Sequence, residues 1–362
     1  MSVDINQKLE EVCRLFRIEG TYVGHEMIQV GNVNKTYECK FILPDGKNKS
    51  FLVQNVNTYA FRHPVELMDN IDKVTEHIRA RKPGQVALHF HHTADRKTYV
   101  IDGKNFWRMT NYIPSVTYDA PPNLDLIRNA GKAFGEFQMQ LADFKPADLF
   151  ETIPDFHNTV KRLNTLFTHV AEDPVGRVAM AKEEIAWLAE VRELAGELWR
   201  RYESGEFPVR VTHNDTKCNN VLFDKNTLLP LVVVDLDTVM PGLAMYDFGD
   251  AVRFIANTAE EDEADISKVS FDVDKFKAFC KGYIGSVGNS LTEAELNAMV
   301  MGAFSITVEL ASRFLDDYLT GDAYFRIKYP EHNIVRARCQ IHLAKDILAK
   351  REKLEDIVRQ YM

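Results

Sequence analysis

The sequence predicts an α+β chain in two parts: a small antiparallel sheet with one packed helix over residues 1–110, and a larger helix-rich part over 111–362. Short period-two runs bounded by turn residues crowd the first part. From Asn123 onward, apolar residues recur at helical spacing over long segments, and Pro121-Pro122 separates the two regimes.

After a short opening helix, Tyr37-Glu38-Cys39-Lys40-Phe41-Ile42-Leu43 alternates apolar and polar residues. The turn Pro44-Asp45-Gly46-Lys47 and the run Phe51-Leu52-Val53-Gln54 complete a hairpin. Residues 65–79 have the 3.6-residue period of a helix. Strands at 97–100 and 106–109 flank the hairpin turn Asp102-Gly103. In the second part, helices are predicted over 124–142, 183–202, 271–282, 293–319 and 334–361, with short hairpins between the second and third. The chain has no internal repeat and no low-complexity stretch.

The 362 residues, 45% hydrophobic and 27% charged, are enough for two lobes sharing one cleft. A net charge of −9 without a Lys/Arg block argues against nucleic acid or an anionic membrane as partner. Small-molecule partners and a monomer or weak oligomer are expected. Five cysteines, at 13, 39, 218, 280 and 339, lack C-x-x-C spacing, which predicts free thiols in a reducing compartment and no zinc site. The polar start Met1-Ser2-Val3-Asp4-Ile5-Asn6 and the absence of a membrane-length apolar run predict a cytoplasmic protein.

Chemistry concentrates in His213-Asn214-Asp215, with Asn220 five residues past the Asp and the strand Leu231-Val232-Val233-Val234 running into Asp235. In phosphoryl transfer, the Asp of D-x-x-x-x-N accepts the proton of the attacking hydroxyl, the Asn holds Mg²⁺, and a later Asp holds the metal against the nucleotide phosphates. Asn220 opens the apolar run Val221-Leu222-Phe223, residues 224–230 carry turn formers, and 231–234 is a β-branched return strand. A hairpin would therefore bring Asn220 and Asp235 together as hard oxygen ligands suited to Mg²⁺. Asp237 is a candidate for a second metal ion or for steadying the first. Asp247-Phe248-Gly249 spells the D-F-G of protein kinases. It follows the turn Met240-Pro241-Gly242 and leads into Ala251-Val252-Arg253-Phe254, so Asp247 or Asp250 is expected to cap a helix and the metal is assigned to Asp235.

With these residues in place, the chain resembles the aminoglycoside phosphotransferase and choline kinase superfamily, and within it the N-acetylhexosamine 1-kinase branch. The resemblance covers nearly the full length. It is carried by Gly31-Asn32-Val33-Asn34-Lys35-Thr36-Tyr37, Gly131-Lys132-Ala133-Phe134-Gly135-Glu136-Phe137-Gln138, Phe156-His157-Asn158-Thr159, Val211-Thr212-His213-Asn214-Asp215-Thr216-Lys217, Asp235-Leu236-Asp237-Thr238-Val239-Met240-Pro241-Gly242 and Tyr329-Pro330-Glu331-His332-Asn333. H-x-D-x-x-x-x-N names only the superfamily, whereas the H-N-D-T-K, D-L-D-T and Y-P-E-H-N strings together are more specific.

The resemblance implies a bilobal protein-kinase-like fold and ATP-dependent, Mg²⁺-dependent phosphorylation of the anomeric (C1) hydroxyl of GlcNAc or GalNAc. It also sets an alternative from the same superfamily: a choline/ethanolamine, homoserine or aminoglycoside kinase. Two positions depart from the pattern. Gln54 stands where protein kinases carry the strand lysine, leaving the nucleotide charge to Mg²⁺ and main-chain donors. Asn32 stands where relatives often carry the His of a Gly-His-Ile-Asn loop.

Asp215 is the expected general base. His213 is catalytic either as proton carrier or, in the favoured reading, as a brace of the loop. Lys217 either neutralises the moving phosphoryl group or is a solvated surface lysine. Expected ATP contacts are Gly31, Gln54 and the inter-lobe segment Met109, Asn111 and Tyr112. Expected substrate contacts are Asn32, Asn34, Arg313, Tyr324 and Phe254, a guanidinium fork and aromatic rings suiting a hexose face; His157 is a weaker candidate. His89-Phe90-His91-His92 has the look of a metal cluster but no evident carboxylate or thiolate partners. Choline would need an aromatic cage, and no run of aromatic residues lies near the catalytic strings. A non-catalytic binding module would require the loss of Asp215, Asn220 or Asp235, and all three are present.

Overall fold

The computed structural model describes residues 4–28 and 33–362. Its first part is α1 (Ile5–Arg14), β1 (Thr21–Ile28), β2 (Lys35–Ile42), β3 (Asn48–Val56), α2 (Pro64–Arg81), β4 (Tyr99–Asp102) and β5 (Asn105–Asn111). The five strands form one antiparallel sheet in the order β1-β2-β3-β5-β4. The alternation in β2 explains its two faces. Tyr37, Cys39 and Phe41 join Phe51, Val53, Trp107 and Met109 in a core under α1, built on Leu9 and Val12. The opposite face carries Thr36, Gln54 and Arg108 toward α2 and the second part.

The second part contains α3 (Leu124–Gln140), α4 (Thr159–Glu172), α5 (Lys182–Ala195), α6 (Glu197–Glu203), β6 (Arg210–Thr212), β7 (Val221–Phe223), β8 (Pro230–Val233) and β9 (Met240–Gly242). It continues with α7 (Ala244–Ile255), α8 (Val273–Val287), α9 (Glu293–Asn297), α10 (Met299–Leu319), α11 (His332–Ala349) and α12 (Arg351–Arg359). Polar residues start many of these helices by accepting free first-turn amides: Asn123 from Leu126, Asn158 from Lys161, and Asp272 from Asp274 and Lys275. Thr292 and Glu295 form a capping box at α9.

The structure adds β1, α4 and the pair β6–β9 to the predicted set, and it corrects the turn expected at Met240-Pro241-Gly242 to a strand, β9, paired with β6 over Arg210–Thr212. It also divides three helices expected to be continuous, at Gly196, at Ala298 and at Lys350. Helices α7 and α10 cross in backbone contact. A Cβ added at Gly302 would lie 2.1 Å from the Met245 carbonyl oxygen, and one at Gly249 would lie 2.5 Å from Gly302, so only glycines admit this approach. The contact sets where α7, which carries Asp247, lies beneath the loop after β6. Among the described residues, no helix is long and apolar enough to cross a membrane.

Candidate active site

β6 pairs antiparallel with β9 and delivers the chain to His213, where the backbone turns sharply: Asn214 has φ +63°. Left-handed backbone at a non-glycine residue persists only where its surroundings hold it, and here the brace is Asp247. Its buried carboxylate accepts the main-chain N–H of His213 and of Asn214, each at 2.7 Å. One turn on, Asp250 accepts Thr216 N–H at 3.1 Å and is itself paired with Arg253 at 2.8 Å.

The expectation that Asp247 or Asp250 caps α7 is therefore corrected. Leu243 occupies the cap position, and no side chain caps the helix. The two carboxylates are used on the neighbouring loop because its amides are buried and otherwise without an acceptor. Burial raises the pKa of Asp247 against the opposing pull of His213 and the two amides.

His213 is fully buried, wedged against the rings of Phe134 and Phe137 of α3. Its Nε2 donates to the Val234 carbonyl at 2.9 Å, and its Nδ1 accepts Asp215 N–H at 3.3 Å, an assignment that fixes the tautomer from its neighbours. Both ring nitrogens are engaged inside the protein. The proton-carrier reading of His213 thus gives way to the bracing one.

β7 and β8 form the expected hairpin, with Val221 opposite Val233 and the Val234 N–H donating to the Asn220 carbonyl at 2.8 Å. Asn220 Nδ2 donates to Asp215 Oδ2 at 3.2 Å and to the Asp215 main-chain oxygen at 2.9 Å, and Lys217 Nζ lies 3.0 Å from Asp215 Oδ1. Both carboxylate oxygens of Asp215 are thus held. Desolvation works against the Lys217 charge, but Asp215 and Asp250 outweigh it and raise its pKa.

Asp235 follows β8 in the left-handed region, φ +60°. The residue is exposed to solvent. Among the described residues, no hydrogen bond or ion pair reaches its carboxylate. Desolvation, then the charges of Asp237 and Asp215, push its pKa up to about 6. Among the described residues there is also no group of three or more His, Cys, Asp or Glu poised around a metal. Asn220 and Asp235 come together at the open end of the β7–β8 hairpin. Asn220 has its amide N–H group committed to Asp215, leaving its oxygen, and the Asp235 carboxylate takes no hydrogen bond from any described residue. That donor set suits a hard cation completed by phosphate oxygens.

Asp237, the candidate for a second metal, has both oxygens committed inside the protein. Arg108 Nη1 donates to Oδ1, while Arg108 Nη2 and Asn34 Nδ2 donate to Oδ2 at 3.1 and 2.7 Å. Arg108 Nε also donates to Gln54 Oε1 at 2.9 Å, and Gln54 Nε2 donates to Thr36 Oγ1 at 3.0 Å. The second-metal reading of Asp237 and the substrate reading of Asn34 are corrected accordingly, since Asn34 spends its remaining oxygen on Asn57 N–H at 2.9 Å. Arg108 was not anticipated. A charged residue between Trp107 and Met109 in a buried strand, across from a polar Gln54, is the signal that marks it.

The inter-lobe expectations are narrowed as well. Met109 points into the core under α1, away from the cleft, and its carbonyl accepts His91 N–H at 2.9 Å. Asn111 binds the 87–89 segment, its Oδ1 accepting His89 N–H at 2.8 Å and its Nδ2 donating to Ala87 O at 3.1 Å. The ladder between β3 and β5 ends at Asn111, so Tyr112 offers the first main-chain groups beyond it. Gly31 and Asn32 lie outside the described residues.

Arg313, on α10, is surrounded by the rings of Phe325, Tyr324 and Phe156, its guanidinium carbon 5.5, 5.8 and 6.0 Å from their centroids. An aromatic cluster does therefore exist, assembled from residues far apart in the sequence and filled by the protein's own cation. It borders a cavity of about 350 Å³ that Arg162, Asp316 and Asp317 also line. Asp317 accepts the Tyr324 and Phe325 amides, and Asp316 pairs with His169 at 2.6 Å. Among the described residues, neither Arg162 nor Arg313 has a carboxylate partner. Phe254 is half-buried on α7 and does not line this cavity. His157 is tied to the buried Glu309 at 3.1 Å and packs against Tyr246, the neighbour of Asp247.

Two of the three histidines at 89–92 do meet carboxylates, contrary to expectation. His89 lies 3.2 Å from Glu76 and His92 lies 3.3 Å from Asp72, both on α2, with Arg79 between. A second cavity, of about 130 Å³, lies behind the cleft against β8 and holds none of the expected site residues.

Comparison with known proteins places this geometry in context. The phosphotransferase enzyme family is matched over residues 30–279. An aminoglycoside phosphotransferase from Alicyclobacillus acidocaldarius superposes with a TM-score of 0.60 at 11% identity, covering 97% of this chain and 96% of that one. A spectinomycin phosphotransferase in complex with ADP and spectinomycin gives 0.58 at 12%, covering 98% and 100%. A choline kinase from Cryptosporidium parvum gives 0.55 at 13%, covering 98% and 97%. These structures share a bilobal α+β kinase-like fold with this chain, a five-stranded antiparallel sheet against a helical lobe.

Proposed function

The chain belongs to the phosphotransferase enzyme family, and on that premise we propose that it transfers the γ-phosphoryl group of ATP to the anomeric hydroxyl of an N-acetylhexosamine, giving the sugar 1-phosphate and ADP. The observation that carries the reading is the meeting of Asp215, Asn220 and Asp235 at one end of the β7–β8 hairpin. Asp215 accepts the hydroxyl proton as the oxygen–phosphorus bond forms and the bond from phosphorus to ADP breaks. Its two oxygens, held by Asn220 and Lys217, cannot swing away from that line, which is the positioning that phosphoryl transfer relies on.

Asn220 and Asp235 are the residues that would hold Mg²⁺, which when bound neutralises charge on the transferring phosphates. The Asp235 carboxylate, which takes no hydrogen bond from any described residue, fits that role. Lys217 adds a positive charge beside the reacting atoms, and Tyr112 supplies main-chain groups for the base of the nucleotide.

On the acceptor side, Arg313 supports a neutral sugar over a cationic acceptor. A quaternary ammonium or an aminoglycoside would have to enter an aromatic cluster already occupied by the Arg313 guanidinium, while the two carboxylates of the same cavity, Asp316 and Asp317, are engaged by His169 and by the Tyr324 and Phe325 amides. A hexose offers hydroxyls and an amide to the fork, and an apolar ring face to Phe156 or Tyr324.

The test is a panel of N-acetylhexosamines, plain hexoses, choline, ethanolamine, homoserine and aminoglycosides with Mg-ATP. ADP release would be followed and the phosphorylated position identified by ³¹P NMR. N-acetylhexosamines should turn over fastest, with phosphate on C1. Choline or an aminoglycoside exceeding every sugar overturns the acceptor assignment, and no ADP release with any acceptor overturns the reaction.

A further inference from the structure

The cation that steadies a kinase's nucleotide phosphates normally sits on the third strand and is held by a glutamate of the adjacent helix. Here that strand position is the neutral Gln54, and the cation is one strand over. The β3–β5 register places Arg108 directly opposite Gln54. Its side chain is 3% exposed, and it meets α2 at the thioether of Met68, 3.8 Å from Nη1. Three of the four α2 acids are occupied elsewhere, Asp69 with Lys73, Asp72 with His92, and Glu76 with Arg79 and His89, and the fourth, Glu66, makes no ion pair with Arg108. The carboxylate that Arg108 grips is Asp237, two residues past Asp235 in the same tight turn. Thr238, the next residue, donates its hydroxyl to the His213 carbonyl at 2.6 Å. One bonded chain thus runs from the sheet through Arg108 and Asp237 to the turn that presents Asp235 and to the loop that presents Asp215.

We propose that Arg108 is a positioning residue which, through Asp237, fixes the Asp235 turn against the sheet and so sets the spacing of the Asn220–Asp235 metal pair. The proposal rests on the reading of that pair as the Mg²⁺ site. It makes the Arg108–Asp237 pair the replacement for the strand-lysine and helix-glutamate pair, moved from α2 to the metal-bearing turn. A two-pronged guanidinium is needed for this, because each prong holds one oxygen of Asp237 while Nε is fixed by Gln54. A lysine keeps the charge but loses that geometry.

The test is Mn²⁺ binding in the presence of ADP, read from the electron paramagnetic resonance of free Mn²⁺, together with melting temperature and steady-state kinetics. Arg108→Lys should remain folded. Its Mn²⁺ affinity should weaken about 10–100-fold, the usual effect of losing a partner that orients a metal ligand, with kcat falling and acceptor KM little changed. Truncating Arg108 alone would leave Asp237 as an uncompensated buried charge and endanger folding. The double substitution Arg108→Met with Asp237→Asn therefore serves as the second variant, neutral and similar in volume. It should also bind Mn²⁺ weakly.

Parent-like Mn²⁺ affinity in both variants, with only a lowered melting temperature, overturns the proposal. So does unchanged Mn²⁺ affinity with a raised KM for ATP, which would make Arg108 a phosphate ligand. A parent protein that fails to bind Mn²⁺ with ADP sinks the metal reading itself, whereas a binding parent with unaffected variants sinks only the role of Arg108.

Discussion

Replacing Asp247 by alanine would strip two buried amides, those of His213 and Asn214, of their only acceptors among the described residues. A buried donor left unsatisfied costs about 1–3 kcal/mol, so two cost roughly 2–6 kcal/mol, offset in part because the deeply buried carboxylate is itself desolvated. Asp247→Asn keeps one acceptor oxygen and turns an amide group toward the second donor, so it should fall between parent and alanine. For a protein of this size, each kcal/mol moves the midpoint by only a few degrees; several degrees of lowered Tm are expected for the alanine variant.

Because the two amides hold the loop that carries Asp215, kcat should fall as well. The Mg²⁺ concentration for half activity should stay at the parent value, since Asn220 and Asp235 are untouched. Asp235→Ala should show the opposite pattern, a shifted Mg²⁺ requirement with a near-parent Tm. Differential scanning fluorimetry and an Mg²⁺ titration of ADP release on both variants make the comparison. If Asp247→Ala moves the Mg²⁺ requirement while Asp235→Ala only lowers Tm, the D-F-G string is the metal site and the hairpin assignment fails.

Asp215→Asn should lower kcat on the order of 10²–10⁴-fold with nucleotide affinity kept by calorimetry, and retention of most activity would remove it as the base. Arg313→Gln should raise acceptor KM about 10-fold or more, the scale of a lost charged hydrogen bond, and should let choline or an aminoglycoside compete better; unchanged acceptor kinetics would detach Arg313 from the acceptor. Asp262 is held down to about 2, first by Lys328 and then by His332. Its folded pKa lies below the unfolded value near 3.9, so its stabilisation is complete above about pH 4 and disappears as pH falls toward 2. Asp262→Asn should therefore lower Tm at pH 6 and converge with the parent near pH 2, and an equal gap at both pH values would contradict this.

The hairpin that joins Asn220 to Asp235 was legible because β-branched residues and turn formers fix a register locally. The strands of the first sheet were legible for the same reason, except β1, where Gly24 and a bulge between Tyr22 and Gly24 interrupt the alternation. The helix breaks at Ala298 and Lys350 were hidden because neither residue opposes a helix. Asp247 was misread as a cap for a different reason. Its partners are main-chain amides 33 and 34 positions earlier, and no local pattern announces an acceptor for another segment's backbone. Arg108 and Asp237, 129 positions apart, were likewise joined only by the fold. The aromatic cluster around Arg313 was missed because Phe156 lies in a loop far from Tyr324 and Phe325.

The neutral contact between α2 and Arg108 has a consequence for control. Where a lysine on the sheet is paired with a glutamate on the helix, swinging the helix outward breaks a charge pair in the cleft, and regulatory partners can use that motion as a switch. In this chain the same swing would separate a guanidinium from a thioether and break the hydrogen bond from Asn70 of α2 to the Val239 carbonyl, just past the Asp235–Thr238 turn, while the ion pair between Arg108 and Asp237 would stay in place. Among the described residues the helix is tied to the metal-bearing turn by neutral contacts and not by a charge pair, so its displacement would cost packing and a hydrogen bond in place of an ion pair.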